Sequence, residues 1–112
     1  MTDARLAEAR TSLEPLRGDL RTATEGFEQR LADIDARRKQ LGDPPAAGAP
    51  AEDPSIIAER RRLDQRHAEI DAALKQARLL TLRGDDLAER ITDKRRSLFT
   101  QQLFGRESSA LD

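Results

Sequence analysis

Aliphatic side chains recur at seven-residue intervals along two long stretches of this chain. In the first, Leu6, Leu13, Leu20, Phe27, Ile34 and Leu41 follow at that spacing, with Ala9, Leu16, Ala23 and Leu31 three or four positions further on. In the second, Ile56, Leu63, Ile70, Ala77, Gly84, Ile91 and Leu98 do the same, with Leu74, Leu80 and Leu87 at companion positions. An apolar stripe of this period is what an α-helix presents to a partner helix when the two supercoil left-handedly. The pattern therefore predicts two long helices, each with one face to bury.

Between the stretches lies Gly42 to Pro54, GDPPAAGAPAEDP, with four of the five prolines of the chain. Proline fixes φ and removes a backbone donor, so no helix runs through this segment. If it turns the chain back, Leu41 lies beside Ile56, Ile34 near Leu63, Phe27 near Ile70, Leu20 near Ala77 and Leu6 near Ile91, large side chains meeting small or medium ones. The expected fold is all-α: an antiparallel two-helix coiled-coil hairpin with a Pro/Gly-rich loop, self-associating into a larger helical bundle. The expected elements are a helix over about 3–41, a loop over 42–54, a helix over about 55–104 and a tail over 105–112. Leu13, Leu20, Phe27, Leu31, Ile34, Leu41, Ile56, Leu63, Ile70, Leu74, Ala77, Leu80 and Ile91 are expected to form the seam. Gly42 reads as the stop of the first helix and Ser55 as the N-cap of the second. Pro15 either kinks the first helix or marks its regular start, and Gly84 thins the seam opposite Leu13.

Composition narrows the reading. Three Phe and no Trp or Tyr are too little aromatic bulk for a thick globular core. Twenty Lys and Arg against twenty-one Asp and Glu leave a formal net charge of −1, so the chain as a whole has no field to gather nucleic acid. No cysteine is present, which removes disulfides, thiolate zinc sites and thiol nucleophiles. No stretch approaches a membrane span, and MTDARLAEAR lacks the apolar run of a signal peptide. A soluble chain is expected, with no cofactor and no small-molecule substrate.

Candidate chemistry is sparse. His67, the one histidine, has no second His or Cys to share a metal with and reads as a seam-boundary residue. Asp33 with Asp35, and Asp85 with Asp86, lack the cleft that would split their pKa values. Arg83-Gly84-Asp85 falls within a helical pattern, whereas recognition of that tripeptide needs an exposed loop. Three basic clusters stand out, Arg37-Arg38-Lys39, Arg60-Arg61-Arg62 and Lys94-Arg95-Arg96; the first two lie on opposite sides of the loop-proximal tip, near Glu59, Asp64, Glu69, Asp33 and Asp35, so mutual neutralisation is the simplest account. Stacking aromatics for nucleic acid are missing. Leu98, Phe99, Leu103 and Phe104 are different. They gather on the end of the second helix that overhangs the first, an apolar patch suited to another subunit, another part of the same protein, or a membrane surface.

The run ALKQARLLTLRGDDLAERITDKRRSLFTQQLFGRESSALD, preceded by the LGDPPAAGAP loop, resembles the N-terminal periplasmic domain of uncharacterised function found in bacterial small-conductance mechanosensitive (MscS-like) channels. The resemblance is carried most specifically by Gln76-Ala77-Arg78-Leu79-Leu80, by Arg90-Ile91 to Arg96-Ser97-Leu98-Phe99, and by Leu103-Phe104 with Arg106, Ser108, Ser109 and Leu111-Asp112. It implies a non-catalytic piece of a homo-oligomeric channel, on the periplasmic side of the inner membrane. A signal sequence would precede it, and membrane helices and a pore domain would follow. Leu98 to Phe104 would then lie toward the membrane. The alternative from another class is a cytoplasmic helical hairpin that binds a protein or nucleic acid through its tip arginines.

Overall fold

A computed structural model describes residues 2–111, with side chains through Gly105. Two helices make up the fold, α1 (Asp3–Leu41) and α2 (Pro54–Leu111), and the architecture is an all-α helical hairpin. Each helix is bounded by local chemistry. At the start of α1 the Thr2 hydroxyl accepts from the Arg5 amide at 3.3 Å, and the Thr2 carbonyl takes the Leu6 amide at 3.1 Å. At its end Gly42 takes φ 70°, a left-handed conformation open to glycine without a Cβ penalty, and its amide returns to the Arg38 and Lys39 carbonyls.

The start of α2 differs from expectation. Asp53, not Ser55, is the N-cap: its carboxylate accepts from the Ser55 amide at 2.8 Å and the Ser55 hydroxyl at 2.7 Å, while its carbonyl takes the Ile56 amide. Pro54 then occupies the first helical position, where a missing N–H is no loss and φ is already helical. The far end differs too. Helix replaces the tail expected over 105–112 as far as Leu111, because one glycine without a following proline weakens a helix but does not stop it; Asp112 lies outside the described residues.

Neither suspected break interrupts its helix. Pro15 lies inside α1 on an exposed position, and its missing N–H costs the helix one hydrogen bond without ending it. Gly84 lies inside α2.

The chain packs as two compact units, one formed by Met1–Arg21 with Leu79–Asp112 and one by Thr22–Arg78. The second contains the loop, where Gly48 takes φ 86° in the turn closed by the Ala49 amide on the Ala46 carbonyl. Its buried side chains are Ile34, Ile70, Leu74 and Ala77. Antiparallel register is visible in its ion pairs, where Glu28, Asp35 and Arg37 of α1 meet Arg78, His67 and Glu59 of α2. The first unit buries Leu6, Ala88 and Ile91, and pairs Asp3 with Arg95 and Arg17 with Asp85.

The seam corrects one expected member. Leu80 is 39% exposed. Inward positions of α2 alternate four and three residues apart, through Leu63, His67, Ile70, Leu74, Ala77, Thr81, Gly84, Ala88 and Ile91, all buried or half-buried. A residue three places after Ala77 and four before Gly84 is rotated off that line onto the flank. Leu87 is displaced in the same way, with Ala88 in its place at 3% exposure. In α1 the inward companions are Arg10, Arg17, Thr24, Leu31 and Arg38, and Leu16 is left 59% exposed. Leu13, Leu20, Phe27, Leu31, Leu41, Ile56 and Leu63 are half-buried.

Candidate interaction surfaces

At the loop, Arg60 holds the chain reversal together. Its Nε and Nη2 donate to the two carboxylate oxygens of Glu52 at 2.8 and 2.9 Å, Nη1 donates to the Gly42 carbonyl at 2.7 Å, and Nη2 reaches the Leu41 carbonyl at 3.1 Å. The last carbonyls of a helix have no intrahelical donor, so a planar guanidinium with five N–H groups satisfies them and the acidic loop residue together. Both side chains are 18% exposed. The hydrogen bond from Arg60 holds the Glu52 carboxyl below its usual range. Composition predicted a surface basic cluster here and missed this role, because nothing local marks Arg60 apart from Arg61 and Arg62.

The neighbouring charges pair across the helices. Arg37 Nη2 donates to Glu59 at 2.9 Å and depresses the Glu59 pKa, while Arg38 meets Asp64 at 2.6 Å. Neutralisation thus holds for Arg37, Arg38 and Arg60. Arg61 and Arg62 are exposed and join no ion pair among the described residues. Of the acids expected nearby, Asp33 and Glu69 accept instead from Gln29 and Gln65 on their own helices. His67 stands 3.5 Å from Asp35 and is half-buried at a companion position of the seam. Arg30 stacks over the Phe27 ring at 5.9 Å from its centroid.

In the other unit Arg17 bridges the helices. Its Nε and Nη2 donate to one oxygen of Asp85 at 3.1 and 2.8 Å, and Nη1 donates to Glu14 at 2.8 Å. The Arg83-Gly84-Asp85 triplet is therefore helical, with its carboxylate engaged by Arg17. Farther along, Arg95 donates to Asp3 at 2.9 Å, and a hollow beside this pair is lined by Leu98, Phe99 and Gln102. Leu98 is half-buried there. Phe99 at 61%, Leu103 at 45% and Phe104 at 63% stand exposed.

The same unit leaves part of its apolar stripe open, at positions the seven-residue pattern and its companions had named. Leu6, Ala9, Leu13 and Leu16 of α1 face Leu87 and Ile91 of α2 across an open groove. Its signal was present in the sequence as leucines falling three rather than four places after a seam residue.

Among the described residues no group of three or more His, Cys, Asp or Glu converges to hold a metal ion, and no helix is long and apolar enough to cross a membrane. No curated protein and no solved structure matches the chain. A family described as a protein of unknown function (DUF3772) matches residues 74–112, so α2 from Leu74 onward, with the seam residues Leu74 to Ile91 and the exposed Phe99 and Phe104, is the part of this chain similar to that family.

Proposed function

We propose that this chain is a non-catalytic coiled-coil spacer and assembly module, standing on the periplasmic side of a bacterial inner membrane as part of a homo-oligomeric mechanosensitive channel. The observation that carries the reading is the exposed cluster of Phe99, Leu103 and Phe104 on α2 beyond the Asp3–Arg95 pair. Aromatic and aliphatic groups left open at the end of a paired helix are what a neighbouring subunit or a membrane-proximal segment covers. The channel context rests on the resemblance of Gln76 to Asp112. An assembly module needs firmly paired helices and a surface for specific contacts; the loop clasp at Arg60 and the cross-helix ion pairs within each unit favour the first, and the exposed apolar cluster the second.

The test is topology in the full-length protein. A reporter active only outside the cytoplasm, inserted at Gly48, is expected to be active, and substituting Phe99 and Phe104 by Ser is expected to alter the tension threshold of channel opening in membrane patches. A reporter active only in the cytoplasm would overturn this placement.

A second reading is favoured by one observation, the unpaired Arg61 and Arg62 at the tip. In it the hairpin is a cytoplasmic module that binds an acidic protein or nucleic-acid backbone there. Salt-sensitive binding abolished by Arg61→Glu with Arg62→Glu would select it.

A further inference from the structure

Six leucines in the unit of Met1–Arg21 and Leu79–Asp112 stand exposed: Leu16, Leu79, Leu80, Leu82, Leu87 and Leu103. Three of them, Leu16, Leu80 and Leu87, share one side. Leu16 and Leu87 line the open groove, and Leu80, seven residues before Leu87, stands on the same face of α2. Among the inward positions beside them, half-buried Leu13 and Leu20 alternate with Arg17, Thr81, Gly84 and Ala88. Large apolar groups left outside while small or charged groups take several inward positions are not what an isolated two-helix seam needs. They match a helix whose apolar stripe is widened to a third heptad position, the pattern of a member of a larger bundle.

We infer that this flank is the surface on which a second copy of the chain docks, two hairpins closing about a two-fold axis parallel to the helices. The inference rests on the assembly reading above and names the contact. Charge and shape argue for a second copy. Asp19 stands three residues after Leu16, on the α1 edge of the flank, and Arg83 three residues after Leu80, on the α2 edge; neither joins an ion pair among the described residues. A two-fold axis along the helices lays α1 of one copy over α2 of the other at the same level. With that level set by the Arg17–Asp85 pair, Asp19 of one copy comes to Arg83 of the other, and Leu16 to Leu87. Ala9 and Ser12 on the α1 edge leave room for the opposing leucine. Every contact is made twice, as an isologous interface requires. An anionic membrane would attract Arg83 and Arg90 but would set Asp19 against like charge.

The full chain tests this by sedimentation across a wide concentration range. Wild type is expected to associate. Leu16→Glu with Leu87→Glu is expected to stay helical by circular dichroism and to associate at least tenfold more weakly, whereas Leu82→Glu, at an exposed leucine off the flank, leaves association unchanged. Asp19→Arg alone weakens association, and adding Arg83→Asp restores it. Because the chain has no cysteine, mixing a Leu16→Cys chain with a Leu87→Cys chain is expected to yield an oxidised heterodimer above either homodimer. A monomeric wild type overturns both this inference and the assembly reading. Association lost through the Phe99 and Phe104 changes but not through Leu16 and Leu87 overturns the flank assignment and leaves the assembly reading standing. If the glutamate variant unfolds, the cross-link decides, and absence of the mixed disulfide overturns the flank.

Discussion

Arg17 crosses from α1 to α2 directly over Gly84: a Cβ built on that glycine would stand 3.5 Å from Arg17 Cγ, an ordinary van der Waals distance. The space beneath the arginine stem thus admits a methyl group and little more. Alanine at position 84 relieves the backbone entropy of a mid-helix glycine without displacing Arg17. Gly84→Ala is expected to stabilise the chain by about 0.5–1 kcal/mol, read from urea unfolding. Gly84→Leu is expected to destabilise it, because the larger group has to push Arg17 off Asp85. A Gly84→Ala variant less stable than wild type would sink this account.

Leu74 and Leu80 separate the seam from the flank. Leu74 is 4% exposed and Leu80 39%, though both were expected inside. Leu74→Ala should lose about 2–5 kcal/mol, the range for a buried leucine truncated in a packed core. Leu80→Ala should lose well under half of that in a dilute sample, where the flank is open to water. Equal losses for the two would contradict the alternating four-and-three seam.

Gly42 is required by its backbone. At φ 70° an L-residue with a Cβ is strained, so Gly42→Ala is expected to destabilise by about 1 kcal/mol. Gly105→Ala, inside α2, should have the opposite sign. Thermal melts of the two variants provide the comparison, and a neutral Gly42→Ala would contradict the left-handed stop.

Arg60 serves as a fork, so charge alone will not replace it. Lysine keeps the positive charge but lacks the planar donors that reach Glu52 and the Leu41 and Gly42 carbonyls together. Arg60→Lys and Arg60→Ala are both expected to raise the rate of limited proteolysis within the loop several-fold, with little change in helix content. Full protection in the lysine variant would mean that charge is enough.

Acid sensitivity follows from the depressed carboxyls. Glu52, Asp53, Glu59 and Asp71 are held below their ordinary range by hydrogen bonds from Arg60, Ser55, Arg37 and Lys75 respectively. Their unfolded forms bind protons first, so stability rises with pH across the acid range. The contribution is complete above the ordinary carboxylate values of about 4 and is lost as pH falls through the lowered folded values. Melting temperature is expected to hold between pH 7 and 5 and to drop below pH 4, less steeply in Glu59→Gln. A flat profile down to pH 2 would show that these pairs do not act in folding.

The seven-residue recurrence of Leu6 to Leu41 and of Ile56 to Leu98 was enough to determine two helices, their antiparallel return and the position of the turn, because period and proline placement are local properties of the chain. Ile34, Ile70, Leu74, Ala77 and Ile91 could be picked as core from that period alone. Only packing decided which companion position faces inward. A shift of one residue turns a side chain by about 100°, too little to distinguish by composition when leucines lie at both choices, so Leu80 and Leu87 fell outside while Thr81 and Ala88 went in. Arg60 was equally hidden: one of three consecutive arginines, it acquired its role only when the turn brought Glu52 and the end of α1 to it. Asp53 rather than Ser55 capped α2 for a comparable reason, since the choice depended on how Pro54 met the incoming loop.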